Sequence, residues 1–136
     1  NKVKLKSYGT KIYVRRENVN YRKILNEADL IEKLKKNGFQ IINPNHFEIF
    51  EQIKIFSEAE LIISPHGSNL SNLVFCKKNT RVVEFMDVNT AKLFKKISKD
   101  LGLNYKSILG QRVGRNKRNQ NNNLVISLKK IKNLIS

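Results

Sequence analysis

Apolar and polar positions follow two rhythms along this chain: short continuous apolar runs, and longer stretches with one apolar residue every three or four. The runs are Lys11-Ile12-Tyr13-Val14, Phe39-Gln40-Ile41-Ile42, Leu61-Ile62-Ile63-Ser64, Arg81-Val82-Val83-Glu84-Phe85 and residues 103–108. Their length and β-branched content predict five strands. Between the first two, Leu30, Ile31 and Leu34 form one helical stripe that Gly38 stops. Ile49, Phe50, Ile53 and Phe56 predict the buried face of a second helix. Leu93, Ile97 and Leu101 predict that of a later helix ended by Gly102. Asn26 with Asp29 and Asn45 with Glu48 read as capping pairs, and Asn89 as a further cap. A short helix is expected over residues 69–75. Strands alternating with helices predict an α/β fold, a Rossmann-like parallel sheet with helices on both faces and right-handed crossovers.

Apolar periodicity stops near residue 110, where glycine, arginine and asparagine take over, so residues 111–123 are expected to form a flexible basic loop. It returns at Leu128, Ile131 and Leu134 or Ile135, which predicts a closing helix within residues 124–136 packed on the domain formed by residues 1–110. A chain of 136 residues, 40% hydrophobic, has material for one core. No apolar run approaches the roughly 18 residues of a membrane span, and the lysine-rich start lacks the apolar centre of a signal peptide. A cytoplasmic protein is expected on that ground. The first residue is Asn1, so an upstream signal, anchor or domain is compatible with the sequence.

Charge changes the picture only locally. The 27 basic and 11 acidic residues give a net charge of +16, which points to a polyanionic partner. The lysines, however, are scattered among asparagines and isoleucines, a bias that an AT-rich coding sequence also produces. Arginines suit bidentate phosphate binding better, and they cluster as Arg15, Arg16 and Arg22 and as Arg112, Arg115 and Arg118 with Lys117. The lone Cys76 excludes an intrachain disulfide and, after Leu73-Val74-Phe75, reads as a buried thiol.

The candidate chemistry lies in Ser64-Pro65-His66-Gly67-Ser68-Asn69-Leu70-Ser71-Asn72-Leu73, a turn from strand to helix. Backbone N–H groups of Gly67, Ser68 and Asn69 at a helix start suit a phosphate. The motif is neither a Walker loop nor a GxGxxG fingerprint. His66 could donate to a phosphate, act as acid or base, or simply bond a neighbouring loop; His46 reads as a loop residue. Arg16 and Arg22 flank the loop after the first strand, where they either neutralise a diphosphate or make a solvated basic loop. Glu84 interrupts an apolar run and must be paired, exposed at an edge, or placed for ligand hydroxyls. No catalytic carboxylate pair, DxD motif or His/Cys cluster appears, so no metal and no cofactor are expected. On the residues alone, a basic nucleic-acid-binding module and a non-catalytic Rossmann-like interaction domain stay open.

Several pieces in order carry a family resemblance: Lys11 to Arg16, Tyr21-Arg22-Lys23-Ile24-Leu25-Asn26-Glu27, Gly38-Phe39, Glu51-Gln52-Ile53 with Phe56 and Ala59, and His66 through Phe75. Together they resemble glycosyltransferase family 61, which includes xylosyl- and N-acetylglucosaminyl-transferases and capsular-polysaccharide enzymes. The family motif His-Gly-Ala-Gly-Leu-Thr-Asn stands here as His66-Gly67-Ser68-Asn69-Leu70-Ser71-Asn72, with Asn69 replacing a glycine. The resemblance implies the carboxyl-terminal half of a GT-B transferase, with residues 1–110 binding a nucleoside-diphosphate sugar such as a UDP-sugar. It implies inverting, metal-independent transfer to a glycan or protein hydroxyl, and a preceding amino-terminal domain. The resemblance carries Arg16, Arg22, His66, Gly67 and Asn72, and less directly Glu84, over as donor-site residues; Ser68 and Asn69 join them through the backbone N–H groups of the turn, and no residue is nominated as catalytic base.

Overall fold

The computed structural model describes residues 7–16, 23–88, 90–113 and 123–135. The five expected strands form: β1 (Lys11–Val14), β2 (Gln40–Ile42), β3 (Leu61–Pro65), β4 (Arg81–Met86) and β5 (Asn104–Leu109). They pair in the order β2-β1-β3-β4-β5, every pair parallel. Helices α1 (Glu27–Lys36) and α4 (Leu128–Ile135) cover one face. Helices α2 (Ile49–Glu58) and α3 (Leu93–Leu101) cover the other, together with a 3-10 helix at Ser68–Phe75. The fold is the α/β, Rossmann-like architecture that the alternation of patterns predicts.

Strands buried on both faces need apolar side chains in both directions, and these strands have them. Tyr13, Ile63, Val83 and Phe85 pack against Leu30 and Leu34 of α1 and Ile131 of α4. Ile12, Ile62 and Val82 point the other way, onto Ile55, Phe56, Leu70, Leu73 and Phe94. Each such side chain contributes about 1.5–3 kcal/mol by leaving water. Gly38 and Gly102 adopt positive φ (85° and 73°) just beyond α1 and α3, the left-handed stop that glycine takes without strain.

The helix details depart from the expectations in instructive ways. Asn26 stands at the N-cap of α1, but its side chain makes no cap bond, and Glu48 does not cap α2 through its side chain either. Asn26 instead bonds both backbone groups of Ile126, its Nδ2 donating to the carbonyl (2.7 Å) and its Oδ1 accepting from the N–H (3.0 Å). Asn45 lies in a 3-10 turn, Pro44–His46, and donates its backbone N–H to the Asn43 side chain. Ile49 and Phe50 are 53% and 70% exposed, because α2 turns its Ile55 and Phe56 side to the sheet. The inward stripe of α3 is likewise shifted by one residue: Leu93 is exposed, Phe94 and Ser98 are buried, and Ile97 and Leu101 are partly covered. The expected cap at Asn89 lies outside the described residues, and α3 is preceded by Lys92. The segment expected to be a 69–75 α-helix winds as a 3-10 helix.

The stretch read as a flexible loop is ordered at both ends. β6 (Gln111–Val113) and β7 (Asn123–Val125) pair antiparallel, while residues 114–122, with Arg115, Lys117 and Arg118, lie outside the described residues. Leu124 bonds back to the segment before α1, donating to the Lys23 carbonyl and accepting from the Leu25 N–H, each at 2.8 Å. Leu124 and Ile126 are thereby inserted in the core beside α4.

Candidate functional site

After β1 the chain crosses to β2 on one side, and later returns to place β3 on the other. At such a reversal two connections leave the carboxyl edge in opposite directions and open a crevice between them, where ligands of open α/β sheets bind. Arg15-Arg16 leaves β1 at this point, and His66-Gly67 leaves β3 beside it. The two motifs singled out in the sequence therefore meet across the switch point.

The two arginines part company there. Arg15 turns to α1, where its Nε donates to Glu27 Oε1 (3.0 Å) while the Tyr13 hydroxyl donates to Glu27 Oε2 (2.7 Å). Arg16 runs over Gly67: a β-carbon on that glycine would lie 3.0 Å from Arg16 Nε and 3.1 Å from its Cδ. Gly67 is extended (φ 168°, ψ 168°), so its service is space rather than a special turn. The 3-10 helix begins its own bonds with Leu70 N–H to the Gly67 carbonyl (3.1 Å), which leaves the Ser68 and Asn69 amides ahead of them. Ser68 is exposed and Asn69 half-buried.

Three contacts hold His66. Its backbone N–H donates to the Phe85 carbonyl (2.9 Å), extending the β3–β4 ladder by one bond. Its ring packs at 5.4 Å from the Phe94 ring, tilted by 59°. Its Nδ1 lies 2.6 Å from Glu84 Oε2, and the imidazole keeps 17% of its surface exposed while Glu84 is fully buried. Glu84 thus takes the paired option among the three its sequence context allowed. Its other oxygen, Oε1, accepts a short hydrogen bond from the Tyr105 hydroxyl. Burial, and the carboxylate alongside, push the Tyr105 hydroxyl far above the ordinary tyrosine range, so it stays a donor.

Tyr105 is the site residue that sequence reading missed. In register, Tyr105 faces Val82 and Ser107 faces Glu84, so the tyrosine reaches its acid diagonally, one pleat along the neighbouring strand. The available signal was Glu84 itself, since a buried carboxylate needs donors for both oxygens. Asn72, by contrast, is spent on packing: its Nδ2 donates to Gln52 Oε1 of α2 (3.0 Å). Arg22 lies outside the described residues.

Other sequence candidates resolve simply. Burial pushes the half-buried Cys76 thiol up to about 12, which keeps it protonated and inert at neutral pH. His46 is exposed in its turn. Arg112, a candidate for polyanion binding, places Nε 2.5 Å from Oδ1 of the buried Asp87, which lowers the appeal of a nucleic-acid surface built on it. Beside the site, a cleft of about 260 Å³ is lined by Asp87, Thr90, Lys92, Tyr105 and Ser107 among others. Among the described residues, no three His, Cys, Asp or Glu side chains are grouped to hold a metal ion, and no helix is long and apolar enough to cross a membrane.

No curated protein matches the chain. The family model described as Glycosyltransferase 61 matches residues 1–83, which is more than half of the 136 and runs from before β1 into β4. That stretch contains both the Arg15-Arg16 and the His66-Gly67 segments, and on it the chain belongs to glycosyltransferase family 61.

Proposed function

We propose that this chain is the donor-binding half of a hexosyl- or pentosyltransferase, acting in polysaccharide biosynthesis on a nucleoside-diphosphate sugar and transferring to a hydroxyl with inversion and without an obligatory metal. The observation that carries the reading is the meeting of Arg16 with His66-Gly67 at the β1/β3 switch point. In an inverting displacement the acceptor oxygen bonds to the anomeric carbon as the bond from that carbon to the diphosphate breaks. The electron pair leaves with the diphosphate, and a base takes the acceptor proton. Charge grows on the leaving group, where a guanidinium and backbone N–H groups stabilise it most.

In this reading Arg16 and Arg22 neutralise the diphosphate, the Ser68 and Asn69 amides solvate it, and His66 contacts the donor from a position set by Glu84. Asn72 shapes the pocket through its hold on α2. His66 has one ring nitrogen committed to Glu84 and is assigned to the donor, whereas the base is assigned to the acceptor side, on an amino-terminal domain facing this one. The fragment alone then binds a donor and turns over slowly. Calorimetry with UDP, UDP-N-acetylglucosamine and other sugar nucleotides tests the reading. Binding of one of them, weakened by about 1.5–3 kcal/mol in R16A, is expected; folded protein that binds none of them contradicts it.

A further inference from the structure

Glu84 is fully buried with its two oxygens engaged in opposite directions, Oε2 by His66 Nδ1 and Oε1 by the Tyr105 hydroxyl. The terminal torsion of a glutamate is broad and roughly two-fold, so one hydrogen bond on one oxygen leaves the carboxylate free to swing. A second bond on the other oxygen locks it. We propose that Tyr105 is a positioning residue for His66, acting through Glu84 to fix both the orientation of the imidazole and the nitrogen that carries its hydrogen.

The chemistry of the three groups supports this order. The phenol is a donor here, because burial and the adjacent carboxylate hold its proton in place. An ionised carboxylate only accepts, so the His66 nitrogen facing it must be Nδ1–H. Nε2 is then the nitrogen left for a ligand, as an acceptor in the neutral ring and as a donor in the protonated one. Phe94 against the ring opposes tilting, but a ring face in apolar contact does not select a tautomer. The selection comes from Glu84, and the steadiness of Glu84 comes from Tyr105. Tyr105 stands on β5, beyond the residues that the family model matches.

The inference rests on the donor-site reading of His66 for its meaning, but its test does not, because it is made on ligand-free protein. Nitrogen-15 spectra of the histidine ring distinguish the two tautomers directly. Wild-type protein is expected to show His66 as a single Nδ1–H form with a slowly exchanging, downfield ring proton. Y105F is expected to lose that proton signal and show both tautomers, with the backbone amide spectrum otherwise native. E84D keeps the charge, the phenol and its packing and shortens only the link; it is expected to lose the same signal. Retention of a single slowly exchanging Nδ1–H form in folded Y105F, or in folded E84D, overturns the proposal even if the protein binds nucleotide. Loss of the signal in both sustains it even if calorimetry finds no nucleotide bound.

Discussion

The Arg16 side chain crosses Gly67 closely enough that one added methyl group would stand 3.0 Å from its Nε. Two segments 51 residues apart are thereby fitted together at their side chain and backbone, and the glycine is what permits the fit. G67A must push Nε and Cδ of Arg16 back from their present line, while its extended backbone is open to alanine. The expected outcome is a drop of about tenfold in UDP affinity, or ~1.4 kcal/mol, with an almost unchanged melting temperature. Calorimetry beside a thermal scan reads both, and wild-type affinity in G67A would detach the Arg16 position from binding.

Tyr13 predicts an alkaline weakness. Burial first, then the Glu27 carboxylate, hold its hydroxyl well above the ordinary range in the folded chain. An unfolded tyrosine ionises near pH 10, so above that pH the unfolded chain has bound fewer protons than the folded one. The contribution is therefore complete below about pH 10 and is lost as pH rises further, at up to about 1.4 kcal/mol per pH unit. Y13F loses its bond to Glu27 and with it about 1.5–3 kcal/mol at pH 7. The gap between the two proteins should shrink between pH 10 and 11.5 in urea unfolding; a constant gap would place the Tyr13 proton elsewhere.

Asn26 is expected to matter more than a helix cap does. Its amide satisfies both backbone groups of Ile126, 100 residues away, and a change to alanine leaves the two without that partner. N26A should cost about 1–3 kcal/mol. Hydrogen exchange at the Ile126 amide should accelerate with it. N26D retains the acceptor and should slow exchange relative to N26A; equal rates in the two variants would show that the Ile126 amide is protected by something other than Oδ1.

Much of this arrangement was legible because period and composition report burial. Strands such as Leu61–Pro65 and Arg81–Met86 are buried on both faces and announce themselves as apolar runs. The placing of two segments at the carboxyl edge of the sheet was legible as well, since His66-Gly67 follows one such run and Arg15-Arg16 another. Long-range partners were not. Asn26 looks like a cap in its local sequence, and only the tertiary fold offers it Ile126. Ile49, Phe50 and Leu93 satisfy a helical stripe as well as their neighbours do, and which residues turn inward depends on how α2 and α3 lie on the sheet. Arg15 and Arg16 are equivalent as residue types, and the fold separates them by giving Glu27 to the first and Gly67 to the second. Tyr105 reads as an ordinary strand aromatic until a carboxylate is placed one strand away.

The register of β4 against its neighbours has a consequence for where this unit can be divided. The family match stops at Val83, in the middle of Arg81–Met86, one residue before Glu84 and well short of β5. A chain cut at that boundary would lose β5 altogether and leave Val82 and Val83 on an unpaired apolar strand edge prone to adding other chains. It would also retain the histidine while discarding the acid and the phenol that hold it. The segment that declares ancestry and the segment that fixes His66 in place are thus of different lengths, and the second reaches at least to Tyr105.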